Sequence, residues 1–133
     1  MKQGRLNIIL GAVTIIVAGI GGFVLGATVE HHFVLGHYAP DLPRFLRKAG
    51  HSHGMPMALY NLIAGGLIDR LELGESGKAW CSRLAAGALL MPVGLLLRGF
   101  DNGAMTFAPL ALLGGVSFMA SAALILKGAL AAR

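Results

Sequence analysis

The chain has 133 residues, of which 56% are hydrophobic and only 13% charged, and its mean hydropathy is +0.72. Soluble domains carry about 45–50% apolar and about 25% charged residues, so this chain has too little charge to cover a water-facing surface. A single cysteine, Cys81, excludes a disulfide scaffold, the hydrophobicity excludes disorder, and a net charge of +5 scattered in ones and twos argues against nucleic acid as a partner. The composition is that of an all-α integral membrane protein whose first partner is the lipid bilayer.

A helix that crosses a bilayer needs about 20 mostly apolar residues. The first such run extends from Asn7 to Val29, between Arg5 and Glu30, with no charge inside it. Lys2 and Arg5 ahead of it imitate a signal peptide, but no clear small-residue cleavage site follows, so it reads as a signal-anchor span. Ala18, Gly22 and Gly26 make a small-residue stripe that lets another backbone approach, within the chain or across a subunit interface. Glu30 to Lys48, with His31, His32, His37, Pro40 and Pro43, reads as a loop.

The second apolar run, Pro56 to Ile68, covers only about 20 Å at 1.5 Å per residue. To span, this helix must begin near Ala49, which draws His51, Ser52 and His53 into the membrane or its interface. After a polar link from Asp69 to Ala79, the run Leu84 to Leu97 is again short and must take in Trp80, Cys81 and Arg83. Trp80 suits an interfacial anchor, and Arg83 can snorkel outward. Asp101-Asn102-Gly103 reads as a turn. It leads into an uncharged fourth run, Ala104 to Leu126, in which Ser117 and Ser121 form a weaker small-residue stripe. The expected architecture is one four-transmembrane-helix bundle with spans at about 7–29, 49–68, 79–97 and 104–126. Lys2, Arg5, Arg70, Lys78, Arg83, Lys127 and Arg133 fall on one side and Arg44, Arg47, Lys48 and Arg98 on the other. The imbalance points to both termini in the cytoplasm, as in a bacterial inner membrane.

Ionisable residues drawn into a span mark a functional site by default. On a helix His51 and His53 lie about 200° apart, so they cannot share one small metal ion, and there is no HExxH motif. One histidine alone can bind haem iron axially, because the macrocycle supplies four ligands. His53 shares a helix face with Met57 and Tyr60, Asn61 lies roughly 80° round, and Gly50 and Gly54 are small enough to let a flat macrocycle approach. A buried Asn61 needs a hydrogen-bond partner, which a substrate or haem-bound ligand could supply. The alternative is that His51 and His53 are solvated interfacial residues and that Tyr60 and Asn61 hydrogen-bond between helices. His31, His32 and His37 are candidates for a second axial ligand or plain loop residues. Cys81 has no activating neighbour.

The run Arg47-Lys48-Ala49-Gly50-His51-Ser52-His53-Gly54-Met55-Pro56, followed by Asn61, resembles the second-helix motif of styrene oxide isomerase. Lys78-Ala79 with Arg83-Leu84 resembles the start of that family's third helix, and Phe107 to Leu112 the start of its fourth. The resemblance implies a homotrimer of four-helix subunits binding haem b through His51 or His53. The histidine-serine pair matches His51, and the spacing to Pro56 matches His53. It further implies isomerisation of a small hydrophobic epoxide to an aldehyde or ketone by a ferric Lewis acid, with Tyr60 and Asn61 as candidate catalytic residues. The family's third-helix tyrosine has no counterpart; Arg98 and Phe100 stand in that region. Three other readings remain: a non-catalytic haem protein such as an electron-transfer anchor or sensor, an accessory membrane protein, and a small four-helix transporter. The transporter lacks the early-helix carboxylate that proton exchange needs, since Glu30 lies only at the end of the first run.

Overall fold

Asp41-Leu42-Pro43 opens the second helix well ahead of the histidines: the Asp41 carboxylate accepts a hydrogen bond from the Arg44 amide at 2.7 Å, and Pro43 occupies the first turn. The computed structural model describes residues 3–34 and 41–132, with side chains at 3–27 and 41–132. The helices are α1 (Arg5–Val34), α2 (Leu42–Leu67), α3 (Glu75–Gly87), α4 (Leu90–Phe100) and α5 (Ala108–Ala131), joined in part by short 3-10 turns at Ile68–Arg70 and Met105–Phe107. No strand occurs among the described residues.

Two expected boundaries move. The backbone of α1 continues to Val34, through His31 and His32, because neither Gly nor Pro occurs between Gly26 and Gly36. The side chains of those two residues, and His37 altogether, lie outside the described residues. Helix α2 starts seven residues earlier than Ala49, since the Asp41 cap, and not the end of the charged stretch, sets its start. His53 therefore lies about 16 Å along the helix and not at its tip.

Three segments are long and apolar enough to cross a membrane: Arg5–Ala27, Glu75–Phe100 and Met105–Ala131. Helix α2, at 26 residues, has the length but is less apolar. Large apolar side chains point outward, with Phe23 84% exposed, Leu112 71% and Met119 64%. Water would not tolerate such a surface over whole helices, whereas lipid does.

The third segment is broken. Pro92 has no N–H to give to the Ala88 carbonyl, and the backbone tightens ahead of it: Met91 N bonds Ala88 O at 3.1 Å and Leu89 N bonds Ala86 O at 3.1 Å. Helix α3 packs on α5, α4 lies between α2 and α5, and α1 covers the far side of α2. The Asp101–Gly103 turn forms as expected, with Asn102 and Gly103 at φ +48° and +85°. Trp80 is exposed, with the Arg83 guanidinium 5.6 Å from its ring centroid, the arrangement expected of an anchor and a snorkelling arginine.

Helix contacts are made over small residues. Ala18 and Gly22 of the expected stripe face α2, at Gly54 and His51, whereas Gly26 meets nothing. The stripe thus serves packing within the chain over part of its length. Gly50 lies against Pro92 and Leu96, Gly94 against the Ala111 backbone, and Gly87 against Ser117. Gly114 abuts the Met91 backbone, so a β-carbon there would collide, while the adjacent Gly115 has open space. Gly114→Ala should therefore cost about 1–3 kcal/mol by forcing α4 from α5. Gly115→Ala should be neutral or stabilise by up to about 1 kcal/mol through helix propensity. Thermal unfolding of the two variants in detergent checks the contrast, and equal midpoints would refute the close contact.

Candidate functional site

The two histidines leave α2 in opposite directions. His51 is half-buried against α1: a β-carbon on Gly22 would stand 3.1 Å from its Cε1 and 3.3 Å from its Nε2, and one on Gly21 3.7 Å from Nδ1. Both ring nitrogens thus lie close to a helix backbone. An iron with its macrocycle, several ångströms across, does not fit between this ring edge and the Gly21–Gly22 backbone.

His53 is exposed on the opposite flank. Its Nδ1 lies 2.8 Å from the Ala49 carbonyl one turn earlier. A carbonyl only accepts, so Nδ1 carries the proton, and the neutral ring's lone pair sits on Nε2. This backbone bond fixes the tautomer and the ring orientation, as is usual for metal-ligating histidines. Ser52 beside it donates to the same Ala49 oxygen at 3.1 Å.

The glycines expected to admit a macrocycle do something else. Gly50 and Gly54 are both buried, Gly50 in the α2–α4 contact and Gly54 between Ala18 and Pro92. Met57 is also buried, at 8% exposure, so it lies inside the bundle and not on the open flank with His53. An open groove of about 480 Å³ runs along α1 past Gly19, Gly22, Phe23, Gly26 and Ala27, on the His51 side.

Tyr60 and Asn61 lie about 10–12 Å further along α2, and their polar atoms are engaged within the chain. Asn61 is fully buried; its amide donates to Ala85 O at 2.8 Å and Met57 O at 3.0 Å, and its oxygen accepts from Asn7 Nδ2 at 2.9 Å. The partner it requires is thus supplied by α1 and α3, and not by a substrate or haem-bound ligand. Asn7 Nδ2 also donates to Ser82 O at 2.9 Å, and the Ser82 hydroxyl lies 2.6 Å from Asn7 Oδ1 and 2.8 Å from Gln3 O. Tyr60 meets Ser121 through their hydroxyls at 2.5 Å and sets its ring edge-on to Phe118, with centroids 4.8 Å apart. Ser121 in turn donates to Phe118 O at 3.0 Å, and the buried Cys81 thiol points at Ser121 O.

Asn7 and Ser82 were not singled out by the sequence reading, although an amide at the head of an uncharged apolar run is a visible signal. Among the described residues no three His, Cys, Asp or Glu side chains gather to hold a metal ion. A haem, needing only one protein ligand, does not depend on such a group. No protein-family model, curated protein or solved structure matches the chain.

The amide cluster generates a quantitative expectation. Interhelical hydrogen bonds in membranes contribute about 0.6 kcal/mol on average and up to about 1.7. Asn7→Ala, Asn61→Ala and the double variant should give a coupling energy near the upper end of that range, because both amides are fully buried. Strictly additive losses of stability would mean that the two side chains do not interact.

Proposed function

We propose that the chain is a four-span integral membrane protein carrying haem b on His53, in the manner of the styrene oxide isomerase family that its second helix resembles. One observation carries the reading: the Ala49 carbonyl accepts from Nδ1 of His53, so that in the neutral ring Nε2 is the nitrogen left to bind a ligand, on an exposed side chain. His51 is the weaker candidate, since its ring edge is closed off by Gly21 and Gly22. In this reading α2 is the fourth span, with Arg44, Arg47 and Lys48 at its headgroup end, and both termini are cytoplasmic. The exposed flank around Ser52, His53, Pro56 and Leu59 requires cover in lipid, which neighbouring copies in a homotrimer would provide.

Bound there, a ferric haem supplies a Lewis acid able to polarise an epoxide oxygen. The chain's own contribution is to fix the imidazole, through Ala49, and to keep water away with the apolar surface of α2 and its neighbours. A small hydrophobic epoxide reaches such a face from the bilayer.

A second reading, haem binding without isomerase activity, is favoured by a separate observation. Asn61 has its polar atoms fully engaged, and the Tyr60 hydroxyl is held by Ser121, so neither is offered to a ligand beside His53. Spectra and turnover separate the two readings. Purified protein should show a stoichiometric b-type haem, which His53→Ala loses and His51→Ala largely retains. Conversion of an aryl epoxide to an aldehyde by the haem-loaded protein would select the isomerase. Haem without conversion would select the carrier, and full haem in His53→Ala would remove the ligand assignment.

A further inference from the structure

The end of the bundle where α2 begins and α4 stops gathers several cations. Arg44, Arg47 and Lys48 lie at positions i, i+3 and i+4 on one face of α2, where like charges repel. The first turns of α2 pack directly on the end of α4, with Gly99 against Pro43 O and the Arg47 backbone. This contact puts Arg47 against Gly99, the residue after Arg98, so both arginines belong to the same junction.

Both guanidinium groups are fixed, and by neutral atoms. Arg47 donates to Gly99 O at 3.0 Å and stands 5.9 Å from the centroid of the Phe100 ring. Arg98 donates through Nε to Ala104 O at 3.1 Å and through Nη2 to Gly103 O at 3.2 Å. These contacts leave further N–H donors on each fork. Lys48 is exposed beside them. Among the described residues no carboxylate pairs with Arg47, Lys48 or Arg98. Phe100 lies at Arg47 and Met105 at Arg98, whose Nη2 is 3.2 Å from Met105 Sδ, and both are largely exposed, at 71% and 70%, as is Phe45 on the first turns of α2, at 60%. The opposite end differs: its exposed cations Arg5, Arg70, Arg83 and Lys127 sit singly on four elements.

We propose that the α2–α4 junction is a binding site for the headgroup of an anionic phospholipid, its phosphate taken by Arg47, Lys48 and Arg98 and its acyl chains lying against Phe45, Phe100 and Met105. The chemistry selects this occupant. Two pre-oriented guanidinium forks suit phosphate oxygens, and they need less ordering on binding than free side chains would. Juxtaposed apolar surface suits an amphiphile better than a soluble anion. The site does not depend on whether His53 carries haem.

The test uses the full chain, purified in detergent and stripped of lipid. Binding of dioleoyl phosphatidylglycerol is compared with that of dioleoyl phosphatidylcholine and of glycerol 3-phosphate, by native mass spectrometry and by thermal shift. Phosphatidylglycerol should bind and raise the melting temperature, with the zwitterionic lipid and the soluble phosphate weaker by tenfold or more. Each cation near an anionic surface contributes roughly a fivefold preference, so Arg47→Gln with Lys48→Gln should lower phosphatidylglycerol affinity by on the order of tenfold or more. The charge-matched pair Arg70→Gln with Lys127→Gln should keep it within about twofold. Should the first pair misfold, Arg47→Lys with Lys48→Gln retains one charge, loses the fork and should still weaken binding. Equal loss in the two charge-matched pairs, or no preference between the two lipids, overturns the proposal.

Discussion

The amide contact between Asn7 and Asn61 holds together three helices that lipid gives little reason to associate. Hydrocarbon solvates Leu and Val as well as a helix neighbour does, so apolar burial alone does not select a packing. Two buried amides change this, because each unmade hydrogen bond in that medium costs about 1–3 kcal/mol. Asn61 on α2 accepts from Asn7 on α1 and donates to Ala85 O on α3, while Asn7 reaches Ser82 O. The same contact compensates the break in the third segment. Leu89 N turns to Ala86 O ahead of Pro92, so Ala85 O loses its usual i+4 donor; it keeps a 3.2 Å bond from Ala88 N and gains the Asn61 amide at 2.8 Å. The position of α1, the register of α2 and the kink between α3 and α4 are thus one coupled arrangement. Glycine and serine complete it, since Gly87 against Ser117 and Gly94 against Ala111 allow α5 to approach both halves of the kinked helix.

Much of this was legible in the sequence, and the failures have a common cause. Hydropathy reports where the chain is apolar, and the outward surfaces of α1 and α5 follow it closely. It does not report where a helix stops. The length needed to span a bilayer points to a start of α2 near Ala49, yet a helix begins at its cap, and Asp41-Leu42-Pro43 is readable as one. Likewise α1 passes Glu30 because one acidic residue does not end hydrogen bonding between backbone groups. The break before Pro92 was also written in the chain, but its partner was not. Nothing local says that the Ala85 carbonyl will lie beside an amide 24 residues away.

The candidate site divides in the same way. Helical periodicity correctly sets His51 and His53 on opposite sides of α2, and the demand that a buried Asn61 find a partner is met. Periodicity does not reveal which side faces a neighbour. That depends on Ala18 and Gly22, whose small size draws α1 onto the His51 face and leaves the His53 face open. Gly50 and Gly54, read as space for a ligand, were space for a helix. A glycine beside a functional residue is ambiguous for this reason: it admits close approach without saying by what.

The orientation of His53 then has a physical consequence. In the body of the bundle Asn7, Asn61, Ser82, Tyr60 and Ser121 are turned inward and all find partners within the chain. Among the described residues His53 is paired at one nitrogen only. Ala49 O accepts from Nδ1, and in the neutral ring the lone pair on Nε2 belongs to an exposed side chain. If α2 crosses the bilayer, that nitrogen faces a medium that cannot hydrogen-bond to it, unless something else is there. A proton donor from another molecule would meet the demand, and so would a metal ion. In the reading proposed above that partner is the haem iron, which needs only one ligand from the chain.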